Sequence, residues 1–132
     1  HTDVEVVDSN QPLRYVISGG DSIFDYIFVD DDLTIYVNDQ EVYADTDRAY
    51  STLAPIEFEA EKGDEIRIVA TDINECEMKI DGLQLHWGTG KSQNLNDEDC
   101  RSACPNDACY DPDYTGPWPN IYLDETYTIN IP

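Results

Sequence analysis

The stretch Phe28-Val29-Asp30-Asp31-Asp32-Leu33-Thr34-Ile35-Tyr36-Val37 places three consecutive aspartates directly before a segment in which apolar and polar residues alternate. This alternation predicts a β-strand with one face in the core and the other in solvent. Adjacent carboxylates repel each other unless a positive charge offsets the repulsion. The stretch therefore predicts a strand that begins at an acidic loop, and the acidic loop needs a cation.

The chain itself supplies few cations. It contains 29 acidic residues against 7 Lys and Arg, and its formal net charge is −22. A bound hard cation would offset the repulsion, and calcium is the first candidate because it prefers carboxylate and carbonyl oxygens. The same charge argues against nucleic acid and against anionic membrane surfaces as partners, since both require clustered Lys and Arg.

The length of 132 residues predicts one domain, spanning residues 1–132. With 40% hydrophobic residues and nine Tyr, the composition is that of a folded protein and not of a disordered acidic tail. No run approaches the roughly 20 apolar residues of a membrane span, so we expect no membrane insertion. The chain begins at His1 without an initiator Met, as expected after removal of a signal peptide or for part of a longer chain.

Strand patterns dominate the rest of the chain and predict an all-β, antiparallel β-sandwich of the jelly-roll kind. Asn38-Asp39 and Lys62-Gly63-Asp64 predict tight turns. Continuous apolar runs at residues 23–29 and 66–70 predict more central strands. The alternating segments are Leu33, Ile35 and Val37; Ile56, Phe58 and Ala60; Leu83, Leu85 and Trp87, with Gln84 and His86 facing solvent; and Tyr127, Ile129 and Ile131.

One short helix is predicted at residues 97–104. Asn96 is a good N-cap, and three acidic residues after it suit the positive end of the helix dipole. This helix would lie within a long loop insertion, residues 88–119, which is rich in Gly, Asn, Asp and Pro and contains three of the four cysteines.

The cysteines are Cys76, Cys100, Cys104 and Cys109. Four cysteines suit two disulfides in an oxidising, extracellular compartment, which would staple the loop. Zinc is the competing interpretation, but the spacings are not the paired ones of a zinc site. On one face of a short helix Cys100 and Cys104 would be poorly placed to bridge each other, so we expect both to pair outward with Cys76 and Cys109.

Two further patterns extend the predicted calcium ligands. Asp45 and Asp47 lie two residues apart and are expected at the same edge as Asp30, Asp31 and Asp32. The segment Asp111-Pro112-Asp113-Tyr114-Thr115-Gly116 carries oxygen side chains at alternate positions before a Gly, as in the first half of a calcium loop. Asp107 or Asp124 could complete it. The alternatives are a solvated acidic surface and an ordinary turn.

Three aromatic residues of the same loop, Tyr110, Tyr114 and Trp118, stand four residues apart, and Trp118 lies between two prolines. Rigid exposed rings are good platforms for sugar rings, so these residues are candidate ligand-binding residues. The alternative is that Trp118 plugs the base of the fold.

Catalysis is not expected. An N-terminal His1 with His86 is compatible with a copper histidine brace, and paired carboxylates are compatible with a glycosidase, but no other residues support either. No Ser-His-Asp arrangement or phosphate loop is visible.

Residues 28–87 resemble the second half of PA14-type β-sandwich domains, which occur in adhesins, lectins and glycosidases. The matching elements are the Asp-Asp pair before a Leu-x-Ile-Tyr-Val strand, the strand Ile66-Arg67-Ile68-Val69, and the closing Leu83-x-Leu85-x-Trp87. The resemblance implies that Asp30 and Asp31 bind a calcium ion that also contacts glycan hydroxyls. Asp32 and Asp39 stand where the family has Gly.

Together these patterns predict a non-catalytic, extracellular module, secreted or on the cell surface. Calcium would complete a surface that binds a glycan or a matrix polysaccharide, or that mediates adhesion. The alternative is a structural module of a filament, wall or matrix in which neighbouring copies associate and calcium and disulfides only stabilise the fold.

Overall fold

The computed structural model describes residues 13–46, 51–72, 79–80, 82–88, 90–96 and 120–132. These residues form eleven β-strands and no helix. The strands are β1 (Leu13–Ser18), β2 (Ile27–Asp30), β3 (Asp32–Val37), β4 (Gln40–Asp45), β5 (Ser51–Leu53), β6 (Ile56–Ala60), β7 (Glu65–Asp72), β8 (Lys79–Ile80), β9 (Gln84–Trp87), β10 (Lys91–Asn94) and β11 (Asn120–Thr128).

All strand pairs are antiparallel, and they form three sheets. Sheet 1 has the order β10-β9-β1-β6, sheet 2 the order β11-β7-β3-β4, and sheet 3 the order β5-β2-β8. The prediction of an all-β, antiparallel fold is confirmed for the described residues. The predicted helix at residues 97–104 lies outside them.

Period-two alternation correctly located the strands of the core. In β3, Leu33, Ile35 and Val37 are buried, and β6 alternates in the same way through Ile56, Phe58 and Ala60. β7 is central, between β11 and β3, as the run at residues 66–70 predicted. The buried side chains of all three sheets belong to a single hydrophobic cluster, which also includes Ile27 and Val29 of β2.

Both predicted turns are present. Asn38 and Asp39 connect β3 to β4 with φ values of 49° and 67°, the left-handed conformation that a two-residue hairpin requires and that Asn and Asp tolerate. Gly63, with φ of 98°, lies in the turn between β6 and β7. This turn also receives the C-terminal segment, because Gly63 N donates to Ile129 O at 2.8 Å and Ile129 N donates to Asp64 O at 2.8 Å.

Contacts from sheet 1 to the end of β11 connect the two four-stranded sheets. Tyr15 of β1 is fully buried, stacks on Phe58 with ring centroids 6.0 Å apart, and donates its hydroxyl hydrogen to Ile131 O at 2.6 Å. The side-chain amide of Gln93, on β10, donates to Thr128 O at 2.8 Å. The last residues of the chain therefore hold sheets 1 and 2 together at this end.

Three predictions about strands were wrong. The apolar run at residues 23–29 is a strand only from Ile27, and Phe24 and Tyr26 are exposed in the preceding turn. His86 was expected on a solvent face and is instead 3% exposed. β11 begins at Asn120 and ends at Thr128, so only the start of the segment 127–131 is strand, although Ile129 is buried as the alternation predicted. Hydrogen bonds account for each difference: those between Ser22 and Asp25 turn the chain before Ile27, His86 bonds with Ser18 and Gly20, and Ile129 bonds with the turn at Asp64.

Candidate functional site at the aspartate edge

The three consecutive aspartates form the crossing between two sheets. Asp30 ends β2 of sheet 3, Asp32 begins β3 of sheet 2, and Asp31 is the only residue between these strands. The peptide bond between Asp30 and Asp31 is cis. The backbone of Asp31 is fixed to sheet 2, because Asp31 N donates to Thr71 O at 3.1 Å. The aspartates are thus part of the ordered framework of the fold.

The three side chains differ in exposure. Asp31 is only 6% exposed, whereas Asp30 and Asp32 are partly exposed. A buried carboxylate is costly unless hydrogen bonds or a cation compensate for the loss of water. Among these three aspartates, Asp31 therefore depends most on hydrogen bonds or a cation to offset the loss of water around its carboxylate.

Asp45 lies at the same end of sheet 2. Strand register pairs Asp45 with Leu33, next to Asp32 at the start of β3. One of its carboxylate oxygens, Oδ2, has no contact with solvent. We call Asp30, Asp31, Asp32 and Asp45, together with Thr71, which pairs with Asp32 on the neighbouring strand β7, the aspartate edge.

Other strands end at the same place. Asp32 pairs with Thr71 near the end of β7, and Asp72 pairs with Asn120 at the start of β11. Asp30 pairs with Lys79 at the start of β8. The aspartate edge therefore adjoins the last residues of β4 and β7 and the first residues of β8 and β11.

The side chains of the described residues do not by themselves complete a metal site. Among them, no group of three or more His, Cys, Asp or Glu side chains has an arrangement that could hold a metal ion. The roles predicted for Asp30, Asp31, Asp32 and Asp45 as calcium ligands stay predictions.

Most other predicted site residues lie outside the described part of the chain. They are Asp47, Asp111, Asp113 and Thr115 as metal ligands, Tyr110, Tyr114 and Trp118 as ligand-binding residues, and Cys76, Cys100, Cys104 and Cys109 as disulfide partners. His1 and Asp107 also lie outside it.

Asp124, considered as an additional calcium ligand, is described and has another partner. It lies on β11, and Arg67 of β7 donates to both of its carboxylate oxygens at 2.8 and 2.7 Å. This pair lowers the pKa of Asp124 and raises that of Arg67. Arg67 also lies 5.4 Å from the centre of the Tyr36 ring.

His86 and Ser18 form a buried polar pair that the sequence patterns did not indicate. His86 Nε2 lies 2.8 Å from Ser18 Oγ and 3.1 Å from Gly20 O. A carbonyl oxygen can only accept, so His86 donates to Gly20 O in the tautomer that carries the proton on Nε2. Ser18 is fully buried, so the pair holds the backbone at Gly20 and is not accessible to a substrate.

The sequence patterns did not indicate the loop at residues 19–26, which exposes Phe24 and Tyr26. The signal was present as Ser18-Gly19-Gly20-Asp21-Ser22, a typical turn composition, immediately before the apolar run.

Within the described segments no helix has the length and apolar character needed to span a membrane. Comparison of the chain with protein-family models, curated proteins and solved structures finds no match.

Proposed function

We propose that this protein is a non-catalytic, extracellular calcium-binding β-sandwich module that binds carbohydrate or mediates adhesion. The observation that supports it best is the aspartate edge: four aspartates, one of them buried, lie at or next to the ends of β2, β3 and β4 in a chain of net charge −22. Calcium is the cation whose chemistry fits such oxygen ligands.

The sandwich arrangement is part of this proposal. Sheets 1 and 2 each have four antiparallel strands, and their buried faces belong to one hydrophobic cluster. The hydrogen bond from Tyr15 to Ile131 O joins them at one end. Two antiparallel sheets facing each other across a shared core are the defining arrangement of a β-sandwich.

Calcium requires six to eight oxygen ligands in general, more than Asp30, Asp31, Asp32 and Asp45 supply. The sequence offers further ligands: Asp47 follows Asp45 by two residues, and Asp111, Asp113 and Thr115 form a second acidic motif. In the proposal these residues complete one or more calcium sites.

The glycan would bind beside the calcium, on Tyr110, Tyr114 and Trp118. The resemblance of residues 28–87 to PA14-type domains supports this choice of ligand. Two disulfides among the four cysteines suit an extracellular location. The second candidate is a structural module of an extracellular filament or matrix, in which the same calcium only stabilises the fold.

The test of calcium binding is thermal unfolding in EDTA and in calcium at the same ionic strength. With free calcium at about a hundred times the dissociation constant, binding to the native state alone stabilises by about 2.7 kcal/mol. Monovalent salt should not reproduce the whole effect, because screening does not coordinate oxygens.

Asp31→Asn should reduce this calcium-dependent shift. Asp39→Asn is the matched control, because Asp39 is exposed in the hairpin turn at the opposite end of β3 and Asn suits its positive φ. Identical melting curves in EDTA and calcium would contradict the proposal. If calcium does stabilise the protein, a glycan array distinguishes the two candidates. A calcium-dependent signal favours the carbohydrate-binding module, and its absence favours the structural module.

A further inference from the structure

The segment at residues 19–26, which we call the Phe24 loop, is held by its own hydrogen bonds. Gly19 N donates to Asp25 O at 3.2 Å and Asp25 N donates to Ser22 O at 3.0 Å. Side chains close the loop further, because Ser22 N donates to Asp25 Oδ2 at 3.0 Å and Phe24 N donates to Ser22 Oγ at 3.1 Å. The loop therefore has a defined conformation.

The base of the Phe24 loop is fixed to sheet 1. The buried pair of Ser18 and His86 holds Gly20 O, and the side-chain amide of Gln84 donates to Asp21 Oδ1 at 2.8 Å. These contacts set the position of the loop relative to β1 and β9.

This ordered loop leaves large apolar side chains in solvent. Phe24 is 77% exposed and Tyr26 is 55% exposed. Single exposed apolar residues are common, but two such rings on a loop that is fixed by hydrogen bonds are typical of a binding surface, because the ordering cost is already met before binding.

Phe24 forms one wall of a groove of about 320 Å³. The groove is lined by Val16, Ile23, Phe24, Pro55 and Glu57. Its floor belongs to sheet 1, where Val16 of β1 pairs with Glu57 of β6. Four of the five lining residues are apolar, so the groove suits an apolar side chain, and Glu57 places a carboxylate at its margin.

The charges around the groove select the partner. Glu57, at the groove, and Glu59, two residues further along β6, share one cation, Arg14, at 3.6 and 3.5 Å, so this group carries one negative charge in excess. Nucleic acid and anionic lipid would be repelled, as would a second copy of a chain with net charge −22. A cationic partner is attracted.

We propose that the groove beside Phe24 binds a peptide segment of a partner protein in which an apolar residue is flanked by Lys or Arg. The apolar side chain packs against Phe24, Val16 and Pro55, and a flanking cation contacts Glu57. This site lies on sheet 1 and is independent of calcium and of the proposed carbohydrate-binding function.

The probe is a short fluorescein-labelled peptide with a central leucine pair flanked by lysines, measured by fluorescence anisotropy in EDTA. Two matched peptides replace the leucines with serine or the lysines with glutamate. We expect the leucine-lysine peptide to bind more tightly than either. Any cationic peptide is attracted weakly to this acidic chain. Binding at the groove is therefore judged from substitutions in the protein.

Phe24→Ala should weaken binding of the leucine-lysine peptide about tenfold, the effect expected for a central aromatic contact residue. Ile121→Ala, at a residue that is 57% exposed on β11, is the control for a lost apolar side chain. Glu57→Gln should weaken binding more than Glu41→Gln, which removes the same charge from exposed β4. Urea midpoints of the variants check that each remains folded.

Equal binding by Phe24→Ala and the unsubstituted protein would overturn the proposal, and so would equal losses in Phe24→Ala and Ile121→Ala. Phe24-dependent binding of similar strength to the glutamate peptide would overturn the choice of a cationic partner. Neither result bears on calcium, so this proposal and the proposed function fail separately.

Discussion

Gly19→Ala is a single-methyl change that tests how the Phe24 loop is fixed. A Cβ atom on Gly19 would overlap the carbonyl oxygen of Tyr26 and lie 2.9 Å from its carbonyl carbon and 3.2 Å from Ile27 Cα. All three are backbone atoms, which cannot turn away as a flexible side chain could. The backbone of the loop must therefore move relative to β2.

The expected cost follows from two effects. Forcing an additional carbon into a well-packed site costs about 1–3 kcal/mol. The movement also strains the hydrogen bond from Gly19 N to Asp25 O, at 3.2 Å, whose loss would cost a further ~0.5–1.5 kcal/mol. We expect a loss of roughly 1.5–4.5 kcal/mol in the free energy of unfolding, the sum of these two ranges.

Urea unfolding followed by far-UV circular dichroism measures this loss. With a slope of about 2 kcal/mol per molar urea, the midpoint should fall by roughly 1–2 M. Gly90→Ala is the matched control, because a Cβ on Gly90 would meet nothing within 4 Å and its φ is not positive. That variant should be neutral or slightly stabilised. Equal midpoints for Gly19→Ala and Gly90→Ala would refute the argument.

Two predictions concern ionisable side chains. Burial, and to a smaller extent the Asp64 carboxylate, raises the pKa of Tyr15 above its ordinary value of 10.0. The stability that the protonated Tyr15 contributes is therefore complete below pH 10.0 and is lost as the pH rises above 10.0. Tyr15→Phe should lower stability at neutral pH by about 1 kcal/mol through the lost hydrogen bond to Ile131 O, and urea midpoints across alkaline pH should fall less steeply than in the unsubstituted protein. Tyr127→Phe, at an exposed hydroxyl bond, should change little, and an unchanged alkaline slope in Tyr15→Phe would contradict the assignment. The hydrogen bonds from Arg67 hold the pKa of Asp124 below its ordinary value of 3.8, so the pair stabilises above that pH and its contribution is lost as the pH falls through the lowered value. In Arg67→Gln, an NMR titration of Asp124 should show its midpoint returning toward 3.8, and the stability should change little because the pair is exposed. A titration midpoint that does not move would contradict the coupling between Arg67 and Asp124.

The sequence predicted those parts of the fold in which the alternation within one strand determines which side chains are buried. Leu33, Ile35 and Val37 could face the core in only one register, because a shift by one residue would expose all three. The turn at Asn38-Asp39 was equally predictable, since few residues tolerate positive φ at two successive positions. The acidic composition also argued against nucleic acid and anionic membrane surfaces as partners.

The candidate sites depended on contacts between distant residues. Sequence could place Asp45 near Asp32 only as a possibility; the pairing of β3 with β4 brings them to one edge. Phe24 belongs to an apolar run that predicted a strand, yet the loop closed by Ser22 and Asp25 turns its side chain into solvent. The alternation of apolar and polar residues in a sequence cannot show which hydrogen bonds a loop will make.

The all-β class, the positions of the principal strands and turns, and the negative sign of the net charge could all be read from the amino-acid sequence, because they follow from periodicity, backbone sterics and composition. Three features depend on the folded structure: Asp31 is buried at a crossing between two sheets, His86 turns inward beside Gly20, and Phe24 lines an apolar groove with Glu57 at its margin. The physical reason is that burial and hydrogen bonding in this molecule join residues far apart in the chain, as Ser18 and His86 are, and such pairings leave no periodic trace in the sequence.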